Sequence, residues 1–232
     1  MLMVTSGVAA SLCYLAATGL QLQRVLKGRG THGWVKLLAA IAIILHGFTV
    51  YKGFINTSGY DLGFYPMLSL MSLSVSGIVL ISSLRRPIDN LFVFVFPLAI
   101  STIILQIVLK GDYTPLQDIT AGVFGHITFS IIAYSLLTIA AAQALLLSFG
   151  DNMLRHHQIA ILRNLPPLET MEHLMFEMIW TGLVFLTLSI GSGFFFLADF
   201  SEPGLLHHTA ITLAAWIVFI ILAWGRYQLG WR

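Results

Sequence analysis

The basic residues of this chain alternate with its apolar runs in a way that is typical of a multi-span membrane protein. Seven apolar runs of 17 to 29 residues follow one another, and ten of the 12 Lys and Arg residues lie in or at the edge of every second gap or after the last run. A helix of about 20 residues crosses the hydrocarbon layer of a bilayer. The sequence therefore predicts an all-α polytopic helix bundle with seven transmembrane helices and a single domain, 1–232. The runs are Val4–Leu26, Trp34–Tyr51, Pro66–Leu84, Leu91–Leu109, Ala121–Phe149, His173–Leu197 and His208–Trp224.

The side on which the basic residues collect predicts the orientation of the chain. Lys and Arg accumulate in cytoplasmic loops, and here they fill the first, third and fifth gaps and the C-terminal end. Only Lys52 and Lys110 lie in the other gaps. We therefore expect the N-terminus outside and Arg232 in the cytoplasm. The longest gap, 150–172, becomes a cytoplasmic strap with an interfacial helical piece.

Composition excludes several classes of protein. A hydrophobic fraction of 57% with only 9% charged residues excludes a soluble domain. The basic residues are too few for a nucleic-acid surface. Cys13 is the only cysteine, so the sequence offers neither a disulfide nor a motif for covalent haem attachment. No nucleophile, phosphate loop or zinc signature is visible, and we expect no enzymatic activity.

Histidines at membrane depth are the most informative polar residues. In the predicted topology, His46 lies about 7–8 Å below the outer end of the second span, and His126 lies at about the same depth in the fifth. His207 and His208 begin the seventh span on that side. An imidazole in lipid is costly without a partner, so these residues are functional candidates.

Three interpretations of these histidines remain open from residue type and depth alone. Two imidazoles that face each other across a bundle could be the axial ligands of a haem iron, with apolar neighbours around the macrocycle. Each histidine could instead hydrogen-bond a Ser, a Thr or a backbone carbonyl across a helix contact. The third interpretation is that the histidines form part of a pathway for protons or metal ions.

Glu177 is the only carboxylate inside an apolar run. It lies one helical turn from His173 near the cytoplasmic end, which predicts a hydrogen-bonded pair that reaches interfacial water. Proton-coupled carriers need acidic groups near the midplane, and this sequence has none there. A permease is therefore the least favoured function.

Several short segments of the sequence resemble those of a known family, and they occur in the same order and at a similar spacing. Gly125–Tyr134 is similar to the start of the fifth span of the cytochrome c assembly (CcsA/HemX-like) family, and His46 matches that family's second-span histidine. The remaining matches are Leu165–Glu169 with Met175 and Phe176, Leu186–Leu188 with Gly191 and Gly193, Ala215 with Trp216, and Gly230–Arg232.

The resemblance implies an eight-span protein of the bacterial inner (plasma) membrane in which histidines hold haem b, related to machinery that delivers haem to apocytochrome c. By position, His126 corresponds to the outer haem-site histidine and His46 to the membrane histidine, and both are candidate iron ligands. His207 and His208 are further candidate haem-binding residues. An eighth span would follow Arg232.

The chain also departs from full members of that family. The tryptophan-rich loop between the sixth and seventh spans is replaced by residues 198–206, which contain no Trp, and the final-span histidine is absent. Two functions follow as expectations. The first is a haem-binding membrane protein with the bilayer, haem and other membrane subunits as partners. The alternative is a non-catalytic accessory or regulatory subunit of a larger membrane complex or transporter.

Overall fold

The computed structural model describes residues 1–28, 32–56, 59–109, 119–157, 165–196 and 203–230, and for residues 32, 56 and 203–208 it describes the backbone alone. Seven of its helices are long and apolar enough to cross a membrane, which confirms the predicted fold class. The helices are α1 (Leu2–Lys27), α2 (His32–Phe54), α3 (Phe64–Ser83), α4 (Phe92–Val108), α5 (Ala121–Arg155), α6 (Leu168–Phe196) and α7 (Pro203–Leu229).

Each helix covers one apolar run, and the ends follow ordinary capping chemistry. Gly28 closes α1 in the left-handed conformation with φ 63°, which glycine adopts without steric cost. Thr120 precedes α5 and accepts a hydrogen bond from the Val123 amide. Between α2 and α3 the chain forms a short antiparallel ladder, β1 (Ile55–Asn56) with β2 (Gly59–Tyr60).

The segment between α5 and α6, which the sequence predicts as a cytoplasmic strap, is shorter than expected. Helix α5 continues to Arg155 and α6 begins at Leu168, so both ends of the predicted 150–172 segment belong to spanning helices. The interfacial helical piece predicted for its middle falls on residues 158–164, which lie outside the described residues. A single 3-10 turn, Asp89–Leu91, leads from the inner turn into α4.

The first four helices form a closed four-helix bundle. Helix α1 contacts α2 and α4, and α3 contacts the same two helices from the other side. The centre is filled by Tyr14, Phe92 and Phe96, none of which is exposed. The ring centroids of Phe92 and Phe96 are 4.6 Å apart, and those of Tyr14 and Phe96 are 5.0 Å apart. This interior is packed with aromatic side chains.

The other three helices, α5, α6 and α7, form a second group. Within it, α5 and α6 share the largest helix interface of the described chain. Helix α3 contacts α5 and so joins this group to the four-helix bundle. Helix α7 is held by polar contacts. The Trp216 indole donates to Thr187 Oγ1 at 3.0 Å, Tyr134 Oη lies 2.9 Å from Thr212 Oγ1, and Arg226 pairs with Glu172.

Small residues lie at close helix contacts in some places and face open space in others. Ser69, Ser72 and Ser76 are buried in α3, as are Ala133 and Ala140 in α5. Gly77 and Gly191 face open space, and Ala144 is exposed. A close α5–α6 approach occurs instead at Gly182, where a Cβ atom would lie 2.9 Å from Leu137 Cδ2 and 3.5 Å from Leu136 Cβ.

We expect Gly182→Val to destabilise the α5–α6 pair by about 1–3 kcal/mol, because the new side chain would overlap Leu137. Gly191→Val lies in the same helix, where a Cβ meets nothing within 4 Å, and is the matched control. Unfolding of the purified protein in mixed micelles measures both. Equal stability of the two variants would contradict the packing described here.

The predicted orientation is tested by cysteine labelling in spheroplasts after Cys13→Ala removes the native thiol. We expect Ser58→Cys, in the sequence gap between the second and third apolar runs, to react with a membrane-impermeant maleimide. His156→Cys, at the exposed end of α5, should react only after permeabilisation. The opposite result would place the N-terminus in the cytoplasm.

Candidate functional site

His46 lies at the centre of the four-helix bundle and is fully buried. Its Nε2 atom is 3.0 Å from Ser69 Oγ on α3, and its Nδ1 atom is 3.4 Å from Tyr14 Oη on α1. The Tyr14 ring meets the imidazole edge-on, with ring centroids 5.9 Å apart. Both ring nitrogens therefore have polar partners from neighbouring helices.

Other hydroxyl groups continue this polar layer within the same bundle. Ser6 Oγ lies 2.9 Å from Thr49 Oγ1 one turn from His46, and Ser72 forms a hydrogen bond with Thr102. All four of these side chains are buried. Unpaired hydroxyls are costly away from water, so such pairs stabilise the contact between helices.

The surroundings of His46 do not fit a haem group in this arrangement. An axial ligand must offer a ring nitrogen to the iron, and each nitrogen of His46 already meets a hydroxyl. The adjacent space is filled by the buried rings of Tyr14 and Phe96. A haem ligand at His46 would require the bundle to open, and the ligand role of this residue stays a prediction.

His126 lies in a different interface, between α5 and α6. Its Nδ1 atom is 2.9 Å from the backbone oxygen of Ser189 and 3.3 Å from Ser192 Oγ. A carbonyl oxygen only accepts, so Nδ1 carries the hydrogen of this bond. In a neutral imidazole, Nε2 then carries the lone pair. Among the residues that the structure describes, none forms a hydrogen bond with this nitrogen.

Contacts one turn away on both sides fix the position of His126. One turn inward, Ser130 donates to the His126 backbone oxygen at 2.8 Å and meets Ser189 Oγ at 2.6 Å. One turn outward, Gly122 lies against the Phe196 ring so closely that a Cβ atom would be 2.3 Å from it. The imidazole itself is half-buried. It is therefore oriented by α6 while one nitrogen remains available.

This arrangement fits a haem-iron ligand. Metal-bound histidines commonly donate their second ring N–H to a backbone carbonyl, which fixes the tautomer and the ring plane. The described residues contain no group of three His, Cys, Asp or Glu side chains that could hold a metal ion without a macrocycle. The donor chemistry at His126 therefore suits one axial position.

The structure does not bring the two predicted ligands to one site. His46 contacts α1 and α3, whereas His126 contacts α6, and α3 lies between α2 and α5. The prediction that the two rings face each other is not met in this arrangement. His207 and His208 belong to the first turns of α7, and their side chains lie outside the described residues.

Sequence reasoning missed a charged cluster at the predicted cytoplasmic end of the four-helix bundle. The buried carboxylate of Asp89 is 3.3 Å from Arg24 Nη1 and 3.2 Å from Lys36 Nζ. Beside it, Gln21 Nε2 donates to Asn90 Oδ1 at 3.1 Å. The available signal was the polar Gln21 inside the first apolar run, one turn before Arg24.

Glu177 has a different partner from the predicted His173. The Arg86 guanidinium forms two hydrogen bonds with its carboxylate, one of them 3.0 Å between Nη2 and Oε1. This bond raises the pKa of Arg86 above its ordinary value, so the residue stays charged. The sequence could not reveal this pair, because it depends on how the α3–α4 turn meets α6.

We expect His46→Ala to lower the free energy of unfolding by about 1–3 kcal/mol, because it leaves the Ser69 and Tyr14 hydroxyls without their partner in an apolar interior. His156→Ala, at an exposed position, is the control. Denaturant titration in micelles measures both variants. A His46→Ala protein as stable as the control would contradict a structural role for this imidazole.

Comparisons with known proteins agree with this membrane architecture. The family described as Cytochrome C assembly protein matches residues 34–232. The chain is 28% identical over 228 residues to the Inner membrane protein YpjD of Escherichia coli strain K12, across 96% of this chain and 86% of that protein. The YpjD proteins of E. coli O6:H1 and O157:H7 match with the same figures. No solved structure matches. This chain belongs to the cytochrome c assembly protein family.

Proposed function

We propose that the protein is a haem-binding membrane protein of the cytochrome c assembly type, and that it holds haem b near the outer face with His126 as an axial ligand. It acts by holding haem and not by turning over a substrate. The observation that carries the proposal is the bond from His126 Nδ1 to the Ser189 carbonyl, which leaves Nε2 with its lone pair.

Membership of the cytochrome c assembly family supports a role in haem handling, since that is the chemistry in which such proteins take part. The relatives themselves are described only as inner membrane proteins. When bound, haem would supply an iron centre that a histidine on one face can ligate. Every other contribution below comes from the residues of this chain.

The α5–α6 interface gives His126 two properties that a haem ligand needs. The Ser189 carbonyl fixes the ring plane and the tautomer, so that Nε2 can bond to iron. Neighbouring aromatic side chains, including Phe129 of α5 and Phe185 of α6 with ring centroids 6.3 Å apart, offer apolar surface to a macrocycle. The predicted depth of about 7–8 Å leaves propionate groups within reach of the outer surface.

The second axial position has three candidates from the sequence. His207 and His208 begin the helix that packs against α6 and contacts α5 through Tyr134. His46 is the third, but it would first have to release Ser69 or Tyr14. We therefore consider His46 a weaker candidate for the second axial ligand than His207 or His208.

The absorption spectrum of protein purified from haem-replete cells tests this proposal. We expect a Soret band with split α and β bands on reduction. His126→Gly should lose most of the bound haem, and added imidazole should restore it, because the small ligand can occupy the vacated position. His46→Ala should keep the Soret band in whatever fraction remains folded, and His156→Ala is the control for a histidine away from the site.

Two results would overturn the proposal. A His126→Gly protein with an unchanged spectrum would move the ligand elsewhere. If protein purified from haem-replete cells contains no haem, the proposal that it binds haem is wrong. If that protein also purifies with a stable membrane partner, the accessory-subunit function is favoured instead. His207→Ala and His208→Ala, measured in the same series, identify the second ligand.

A further inference from the structure

A cleft of about 550 Å³ opens between α3 and the α5–α6 pair in the half of the molecule that holds the Arg85–Arg86 turn. Its walls are mostly apolar. Ile78 and Ile81 line it from α3, and Leu136 and Met178 line it from α5 and α6. Arg85 and Arg86 lie at one end together with Ser82. One cleft therefore combines an apolar wall with a cationic end.

The charges at this end are unequally neutralised. Arg86 is paired with Glu177, and both side chains are about two-fifths exposed. Arg85 is exposed, and its guanidinium has neither an ion pair nor a hydrogen bond among the described residues. Its guanidinium is therefore the group most available to an anion at this cleft.

The other side of the same turn increases the positive potential. A second cavity of about 390 Å³ is lined by Arg24, Lys36 and Asp89 as well as by both arginines of the turn. Among the described residues that line the two cavities, there are four cationic side chains and two carboxylates, those of Asp89 and Glu177. Both carboxylates already have cationic partners, so the region keeps an excess of positive charge.

We propose that this cleft binds one anionic glycerophospholipid, with the headgroup phosphate at Arg85 and an acyl chain along Ile78, Ile81 and Leu136. Basic pockets between spanning helices on the cytoplasmic side recognise anionic headgroups in this manner. Arginine suits the task because its planar donors match phosphate oxygens. The proposal is independent of haem binding.

The shape of the cleft favours a lipid over a free phosphate ion. From Ile78 to Ser83, its last residue, the α3 surface extends about 7–8 Å along the helix axis, which is room for part of an acyl chain. Both carboxylates of the two cavities are already paired with cations, so neither is available to bind the ammonium group of a zwitterionic headgroup. That ammonium group would instead be repelled by Arg85, which favours an anionic headgroup. The Ser82 hydroxyl, which also lines the cleft, is a second donor for phosphate oxygens.

The test compares retention of phosphatidylglycerol and phosphatidylcholine by the intact purified chain, measured by native mass spectrometry from mixed micelles. We expect phosphatidylglycerol to be retained preferentially. Arg85→Gln should reduce that retention on the order of fivefold, the value that corresponds to the loss of one cation near an anionic lipid. Arg155→Gln removes another exposed basic residue, which does not line the cleft, and should change nothing.

A second variant tests the apolar part of the cleft without changing charge. Ile81→Trp should lower phosphatidylglycerol retention because the larger ring occupies the acyl-chain space. Ile81 is 68% exposed, so the substitution does not enter the core. Ile44→Trp, at a position 72% exposed on α2, is the matched control.

Three results would overturn the proposal. Equal retention of the two lipids would show that the protein does not select an anionic headgroup. Equal effects of Arg85→Gln and Arg155→Gln would show that the headgroup does not bind at Arg85. Inorganic phosphate or glycerol phosphate that displaces phosphatidylglycerol at millimolar concentration would identify a site for a free phosphate group. If neither soluble phosphate competes, the acyl chain contributes to binding as proposed.

Discussion

A polar group inside a bilayer must find its partner within the protein, and the rest of this structure depends on that constraint. The backbone meets it by forming helices, which satisfy the amide and carbonyl groups of each span internally. Side chains meet it by pairing across helix contacts. Ser6 with Thr49, Ser72 with Thr102 and Ser130 with Ser189 are examples in which two hydroxyls satisfy each other. These pairs determine which helix faces meet.

The same constraint separates the two membrane histidines into different roles. His46 is enclosed by hydroxyl groups on both sides, and its imidazole acts as a link between α1, α2 and α3. His126 uses one nitrogen to reach a backbone carbonyl of α6, and its other nitrogen has no hydrogen bond among the described residues. The two histidines lie at a similar predicted depth but differ in their hydrogen bonds. Both ring nitrogens of His46 have polar partners, whereas Nε2 of His126 has none among the described residues.

The positions of the spans could be predicted from the sequence, because run length and charge spacing depend only on local composition. Contacts between helices could not, because they depend on how each helix is rotated. Nothing in the sequence order indicated that Glu177 would pair with Arg86 instead of His173, or that Asp89 would lie between Arg24 and Lys36. The close approach at Gly182, in place of Gly191, is a further case, since glycines on two faces of one helix look equivalent until the neighbouring helix is in place.

The state of the His126 imidazole is the central claim of this account, and nitrogen-15 NMR of the histidine-labelled protein tests it most directly. With resonances assigned by His126→Gly and His46→Ala, we expect His126 to be neutral, with the proton on Nδ1 and an unprotonated Nε2 whose resonance shifts when haem is added. The His46 resonances should not respond to haem. A proton on Nε2 of His126, or a haem-induced shift at His46 alone, would contradict the account.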